Sequence, residues 1–304
     1  MSTGGGGKAI VAALGANIAI ALAKTVGALV TGSSSMAAEA VHSFADSGNQ
    51  VLLLVGARKG RKQADEQHPF GFGRERYFYS FVVALVLFSL GSLFAVYEGI
   101  HKIHDPHELE TPLVAIGILV FAIVAEAFSF RTAIGESRPL KGDQSWGSFI
   151  RHATMPELPV VLLEDFAALI GLVLALLGVG LALLTDQPVF DGIGTLSIGV
   201  LLGIVAMVLA IEMKSLLIGE SASKASVEAI RGALVDGTSV TRVIHLKTMH
   251  LGPEELLVAA KIAVPPALTL PEVSRAIDAA EVRVRTAEPL ALQIYLEPDL
   301  DRTP

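Results

Sequence analysis

His42 and Asp46 stand four residues apart in the run Ser35-Met36-Ala37-Ala38-Glu39-Ala40-Val41-His42-Ser43-Phe44-Ala45-Asp46. On a helix that spacing puts an imidazole and a carboxylate on one face. Such a pair can bind a divalent transition metal. It can also serve only as a buried hydrogen-bonded pair that holds helices together. A second polar point is Glu164-Asp165, set inside the apolar run Val160-Val161-Leu162-Leu163 and Phe166-Ala167-Ala168. Adjacent helical residues point ~100° apart, so one acid can face His42 and Asp46 while the other meets a polar neighbour. Two unpaired charges at membrane depth would cost several kcal/mol, and a cation between helices is the simplest compensation. Protonation, or a buried donor such as Asn17, is the alternative. Glu39, three residues before His42, can be a fourth oxygen or sit at the outer interface, where Glu98 is also expected. Glu126 lies deeper, in Val124-Ala125-Glu126-Ala127, and can relay protons, pair with another helix or bind the cation itself. The chain has no cysteine, so any metal site must use imidazole and carboxylate.

These residues need helices in a bilayer to position them. Of 304 residues, 52% are apolar and only 17% charged, and the mean hydropathy is +0.59. That composition excludes an ordinary soluble enzyme and a disordered chain. Six apolar stretches are long enough to cross a membrane, at roughly 8–30, 36–57, 78–101, 112–134, 157–184 and 192–217. None alternates with a period of two, so helices are expected, not barrel strands. Basic residues gather in two loops. Arg58, Lys59, Arg61, Lys62, Arg74 and Arg76 follow the second stretch, and Arg131, Arg138, Lys141 and Arg151 follow the fourth. The excess of basic residues on the cytoplasmic side then places both termini in the cytoplasm and the chain in the cell (inner) membrane. Residues 1–7, with their glycine run, read as a flexible lead and not a signal peptide.

Residues 219–304 hold nine Lys/Arg and twelve Asp/Glu, a soluble density of charge. Their pattern reads α-β-β-α-β. Val227, Ile230 and Leu234 form one helical face, Val240–Met249 and Leu256–Val264 two strands, Val273, Ile277, Ala280 and Val284 a second helical face, and Leu290–Leu296 a last strand. The expected architecture is therefore an α-helical membrane protein, with six transmembrane helices over 8–218 and a small cytoplasmic α/β domain over 219–304. The net charge of −7 gives no hint of nucleic acid. No nucleophile–base arrangement or phosphate-cradling loop stands out, so no enzyme is expected.

The stretch Thr31-Gly32-Ser33-Ser34-Ser35 followed by His42-x-x-x-Asp46 resembles the second helix of the cation diffusion facilitators. His68-Pro69-Phe70-Gly71-Phe72-Gly73-Arg74-Glu75-Arg76-Tyr77 resembles the loop that follows it, and Leu163-Glu164-Asp165-x-Ala167-Ala168 the zinc transporter nine branch. The resemblance covers nearly the whole chain. It implies a homodimeric exporter of Zn²⁺ or a similar divalent cation, driven by proton antiport, with no permanent cofactor. The implied metal ligands are His42, Asp46, Asp165 and Glu164. At the family's remaining ligand position stands Val161, which cannot bind metal, so Glu164 or water would complete the shell, or the preferred metal differs (Mn, Fe or Co). A site in the loop would use Asp65 and His68, but its third position holds Phe72. In the tail His245 and His250 fall on opposite faces, and Tyr295 and Glu297 stand where His and Asp would be needed. Arg74 would pair near the dimer interface, with Glu220 as a candidate. His101, His104 and His107 read as a solvated outer loop. The competing classes are a channel and a non-transporting scaffold whose tail binds a partner.

Overall fold

The computed structural model describes residues 5–108, 111–153 and 155–300, the side chains of residues 5–17, 88, 140 and 152 excepted. Seven helices precede the tail: α1 (Gly5–Thr31), α2 (Ser34–Lys59), α3 (Glu75–His104), α4 (Pro112–Lys141), α5 (Trp146–His152), α6 (Glu157–Thr185) and α7 (Val189–Ile218). Helix α1 begins at Gly5, inside the expected lead; residues 1–4 lie outside the described residues. Among the described residues four helices, α3, α4, α6 and α7, are long and apolar enough to cross a membrane. Described residues 18–31 of α1 are apolar but shorter, and α2 carries its polar stripe in place of uniform hydrophobicity. Two features escape the hydropathy pattern. One is α5, a short helix in the second basic loop. The other is a π-helical turn, Leu87–Ser92, inside α3.

The chain divides into two compact units. The first comprises residues 1–56 and 78–213. Its helices meet through small residues, which let backbones approach where no water-driven force brings helices together. A methyl group on Gly99 of α3 would stand 2.5 Å from the backbone nitrogen of Leu196 on α7. Helix α4 packs beside α6, with Ala133, Phe149 and Leu162 buried between them.

The serine run has a structural task in this unit. Asp191, in the first turn of α7, is fully buried. Its carboxylate accepts hydrogen bonds from Ser33 Oγ at 2.9 Å, Ser34 N at 2.9 Å and Ser34 Oγ at 3.1 Å. The acid thus caps the N-terminus of α2 from another helix, where free N–H groups and the helix dipole favour an anion. Thr31-Gly32 turns the chain between α1 and α2, with Gly32 at φ +63°.

The second unit comprises residues 57–77 and 214–304. Helix α8 (Lys224–Leu234) and α9 (Leu270–Ala287) flank a three-stranded sheet of β1 (Arg242–Gly252), β2 (Glu255–Val264) and β3 (Gln293–Leu300) in that order. Strands β1 and β2 are antiparallel, β2 and β3 parallel. The core joins Ile230 and Leu234 of α8, Val258 and Ile262 of β2, and Ala280 and Val284 of α9. The last strand starts three residues later than its apolar pattern suggests. Leu290 instead lies in the turn, its carbonyl accepting from Leu256 N at 2.7 Å. Pro298 is tolerated because, among the described residues, β3 is an edge strand paired with β2.

The first basic loop belongs to this second unit. Gly73 lies against the β1–β2 turn so closely that a Cβ would come within 2.8 Å of the Leu251 carbonyl oxygen. Arg74 reaches Met249 Sδ at 3.2 Å, while the Glu220 carboxylate takes a hydrogen bond from Ser215 at 2.9 Å, so the expected Arg74–Glu220 pairing gives way to these contacts. Lys62 and the backbone N–H of His68 hold the Asp65 carboxyl down at about 2. The His68 ring lies against Phe72, their centroids 4.4 Å apart.

In β1, His245 is exposed and His250 is buried. Burial pushes the His250 imidazole below its ordinary value, against the opposing pull of Glu220 and Glu288. The unfolded chain therefore takes up a proton before the folded one does. Stability of this unit should be full above about pH 6.5 and should decline as pH falls through that value. Hydrogen-exchange protection factors in β1 should drop on acidification, and His250→Gln should flatten the decline; an unchanged decline in the variant would remove His250 as its cause.

Candidate cation site in the helix bundle

Helix α2 carries the polar residues of the bundle on one stripe. Glu39, His42, Asp46 and Asn49 recur at spacings of three, four and three, which keeps them within one face. At the N-terminal end of the stripe, Glu39 is fully buried within the bundle. Its Oε2 pairs with Lys24 Nζ of α1 at 3.1 Å, and the same ammonium donates to Ser43 Oγ at 2.8 Å. Lys24 is 1% exposed. Room for Glu39 comes from Gly171 on α6: a Cβ there would stand 2.6 Å from Glu39 Oε1.

One turn inward, His42 Nδ1 lies 3.5 Å from Asp46 Oδ1. The imidazole is 1% exposed, and neither of its nitrogens has a hydrogen-bond partner among the described residues; nor does Asp46 Oδ1. Burying such groups without partners is costly, and this is where the bundle leaves several of them together.

Helix α6 brings the two acids in from the other side. Glu164 accepts from Asn49 Nδ2 at 2.7 Å, and Asp165 accepts from Ser129 Oγ of α4 at 3.0 Å. Their divergence around the helix sends one to α2 and the other to α4. Both still line the same small cleft, together with Ile20, Ser43, Asp46, Gln50, Glu126 and Val161. Its volume is ≈ 20 Å³, about the room of one water-sized guest. His42 stands behind Asp46 and is not part of the lining. Among the described residues no three His, Asp or Glu side chains are close enough together to hold a metal in this conformation. The structure thus brings Asp46, Glu164 and Asp165 to one cleft and leaves His42 one residue removed from it.

Sequence reasoning missed Lys24, Asn49, Ser129 and Asp191. Lys24 was legible as a lysine inside an apolar run, and Asp191 as an acid opening one. Nothing in the spacing could pair Asn49 with Glu164. Asn17 lies outside the residues whose side chains are described. In the outer loop, His104 Nδ1 lies 2.9 Å from the Ile100 carbonyl oxygen, and His107 lies 3.4 Å from Asp105.

Residues 10–218 match the family model of the cation efflux transmembrane domain. The chain is 32% identical over 251 residues to a mitochondrial proton-coupled zinc antiporter of Homo sapiens, covering 82% of this chain and 44% of that protein. It is 31% identical to metal tolerance protein C4 of Arabidopsis thaliana over 74% of this chain and 50% of that one. It is 24% identical to magnetosome protein MamB of Paramagnetospirillum magneticum, over 92% and 90%. The chain therefore spans about half the length of the first two relatives.

The Lys24–Glu39 pair is sealed from water, so removing one partner strands the other. Lys24→Met should destabilise the detergent-solubilised protein by about 3–5 kcal/mol, and adding Glu39→Gln should restore most of the loss. Unfolding curves of both single variants and the double variant measure this; additive losses would show that the two residues do not act as a pair.

Proposed function

We infer the activity from one premise: the chain belongs to the cation efflux family, whose members are transporters and not enzymes. It is a multi-pass membrane protein that moves a metal cation. The finer reading is that it exchanges a divalent cation, Zn²⁺ first, for protons. The cleft between α2 and α6, lined by Asp46, Glu164 and Asp165, is the observation that carries it. Six spans, with α1 and α2 added to the four uniformly apolar helices, both termini in the cytoplasm, and a homodimer joined through the tail complete the proposal. Zinc and proton coupling draw support from the names of the antiporter relatives.

The chemistry follows from the donor set. Carboxylates and imidazole bind metal only in their deprotonated forms, so metal and protons compete for the same atoms. Loading from the cytoplasm releases protons; protons entering from the opposite side displace the metal. Asp46 and Asp165 bind the ion from two helices. Glu164 completes the shell or holds α2 through Asn49. His42, its Nδ1 3.5 Å from Asp46 Oδ1 in this conformation, joins the shell when the helices shift. Rocking of helices about a fixed midplane site supplies alternating access. A second reading, a preference for a harder cation such as Mn²⁺, draws support from the cleft itself, since oxygens line it and the imidazole does not.

Reconstituted vesicles with an imposed pH gradient test the proposal. Zn²⁺ uptake should follow the gradient and collapse with it. Asp46→Ala and Asp165→Ala should each reduce uptake by more than the ~10–100-fold that loss of a supporting group alone can cost. Full uptake in either variant would remove that residue from the site, and uptake indifferent to the gradient would favour a channel.

A further inference from the structure

The cleft has an apolar gap in its donor set. Val161 lines it with hydrocarbon, at the one position from which α6 offers nothing to a cation. Glu126 of α4 lines the same cleft. It lies three residues before Ser129, hence on the same side of α4, and Ser129 donates to Asp165 Oδ2 at 3.0 Å. Glu126 and Asp165 therefore approach from adjoining helix faces.

Four acids of this bundle have a protein partner within hydrogen-bond distance: Glu39 has Lys24, Asp191 has the serines, Glu164 has Asn49 and Asp165 has Ser129. Glu126, partly buried in an apolar run, receives no hydrogen bond or ion pair among the described residues. A carboxylate at membrane depth without a partner calls for one. A second, independent sign lies beside Asp46. His42, 1% exposed, has both ring nitrogens unpartnered and its Nδ1 directed at Asp46, whose Oδ1 is likewise unpartnered and which lines the cleft. Asp46, which lines that space of about one small guest, thus carries an unsatisfied oxygen, with the unpartnered imidazole beside it.

We propose that Glu126 supplies the carboxylate that position 161 cannot, so that once these side chains draw closer together than they stand in this conformation the cation is held from three helices: Asp46 on α2, Glu126 on α4 and Asp165 on α6. This rests on the reading that the cleft takes the transported cation. It assigns α4 a direct part in binding. A third carboxylate also brings the site's negative charge above that of a divalent ion, which favours a dication over a monovalent one. In the metal-free protein the same crowding of like charges opposes folding.

The test is calorimetric titration of Zn²⁺ into the full chain in detergent at neutral pH, together with the thermal midpoint of the metal-free protein. Glu126→Gln should weaken Zn²⁺ binding at least ~10–100-fold and leave the metal-free midpoint equal or higher, because a like charge has gone. Glu136→Gln, exposed on the same helix, should change neither. Wild-type affinity in Glu126→Gln, beside Asp46→Asn and Asp165→Asn variants that lose it, would overturn the inference and leave the cleft as the site. Wild-type affinity in all three would overturn both. Weaker binding accompanied by a lower metal-free midpoint would mean that Glu126 only supports the fold, and would also overturn it.

Discussion

An ionised group held away from water must find its counter-charge or hydrogen bonds inside the protein, and in hydrocarbon this requirement is severe. The arrangement of the helices follows it closely. Lys24 ties α1 to α2 through Glu39. Asp191 ties α7 to the start of α2 through three serines. Asn49 ties α2 to α6 through Glu164, and Ser129 ties α4 to α6 through Asp165. Five helices are joined by four acids, and α2 takes part in three of these joints. The polar stripe that lowers the hydropathy of α2 is what makes it the organising helix.

Space is the second half of the same constraint. A buried pair needs a partner at hydrogen-bond distance and nothing else in the way. Gly171 gives Glu39 that room, because any side chain there would occupy the position of the carboxylate. Gly99 does the same for the backbones of α3 and α7. In the second unit Gly73 lets the loop after α2 lie against the β1–β2 turn. Since α2 runs directly into that loop, the helix carrying His42 and Asp46 continues covalently into the unit built around the sheet.

Much of this was legible in the sequence because the signals are periodic or chemically rare. The α-β-β-α-β order of the tail followed from alternation and helical faces; only the last strand shifted, because Leu290 serves the turn. His42, Asp46, Glu164 and Asp165 stood out as ionisable residues in apolar runs. Partnerships did not show. Glu39 was expected at an interface because no counter-charge lies near it in sequence, and Lys24 is fifteen residues away on another helix. The serine run carried its family likeness openly, but its partner Asp191 is more than 150 residues distant. Spacing along one helix fixes a face; which residues meet across faces is a property of packing.

The buried acids differ in how far their oxygens are satisfied. Glu164, Asp165 and Asp191 have hydrogen-bond donors, and Glu39 keeps one oxygen on an ammonium. Around Asp46 the pattern reverses: its Oδ1 and both His42 nitrogens lack donors or acceptors among the described residues. Beside them α3 leaves regular α-helical geometry at Leu87–Ser92, and a Cβ on Gly91 would come within 4.0 Å of His42 Nδ1. A π-turn is a common device at functional sites, because it displaces the ladder of backbone bonds locally. The imidazole thus packs against the one stretch of α3 whose backbone departs from the α-helix. A group fixed by hydrogen bonds would have to break them to reach a ligand. His42 has none to break, and its neighbour across the helix interface is a glycine. The same features that make its burial costly leave its ring nitrogens without a fixed partner.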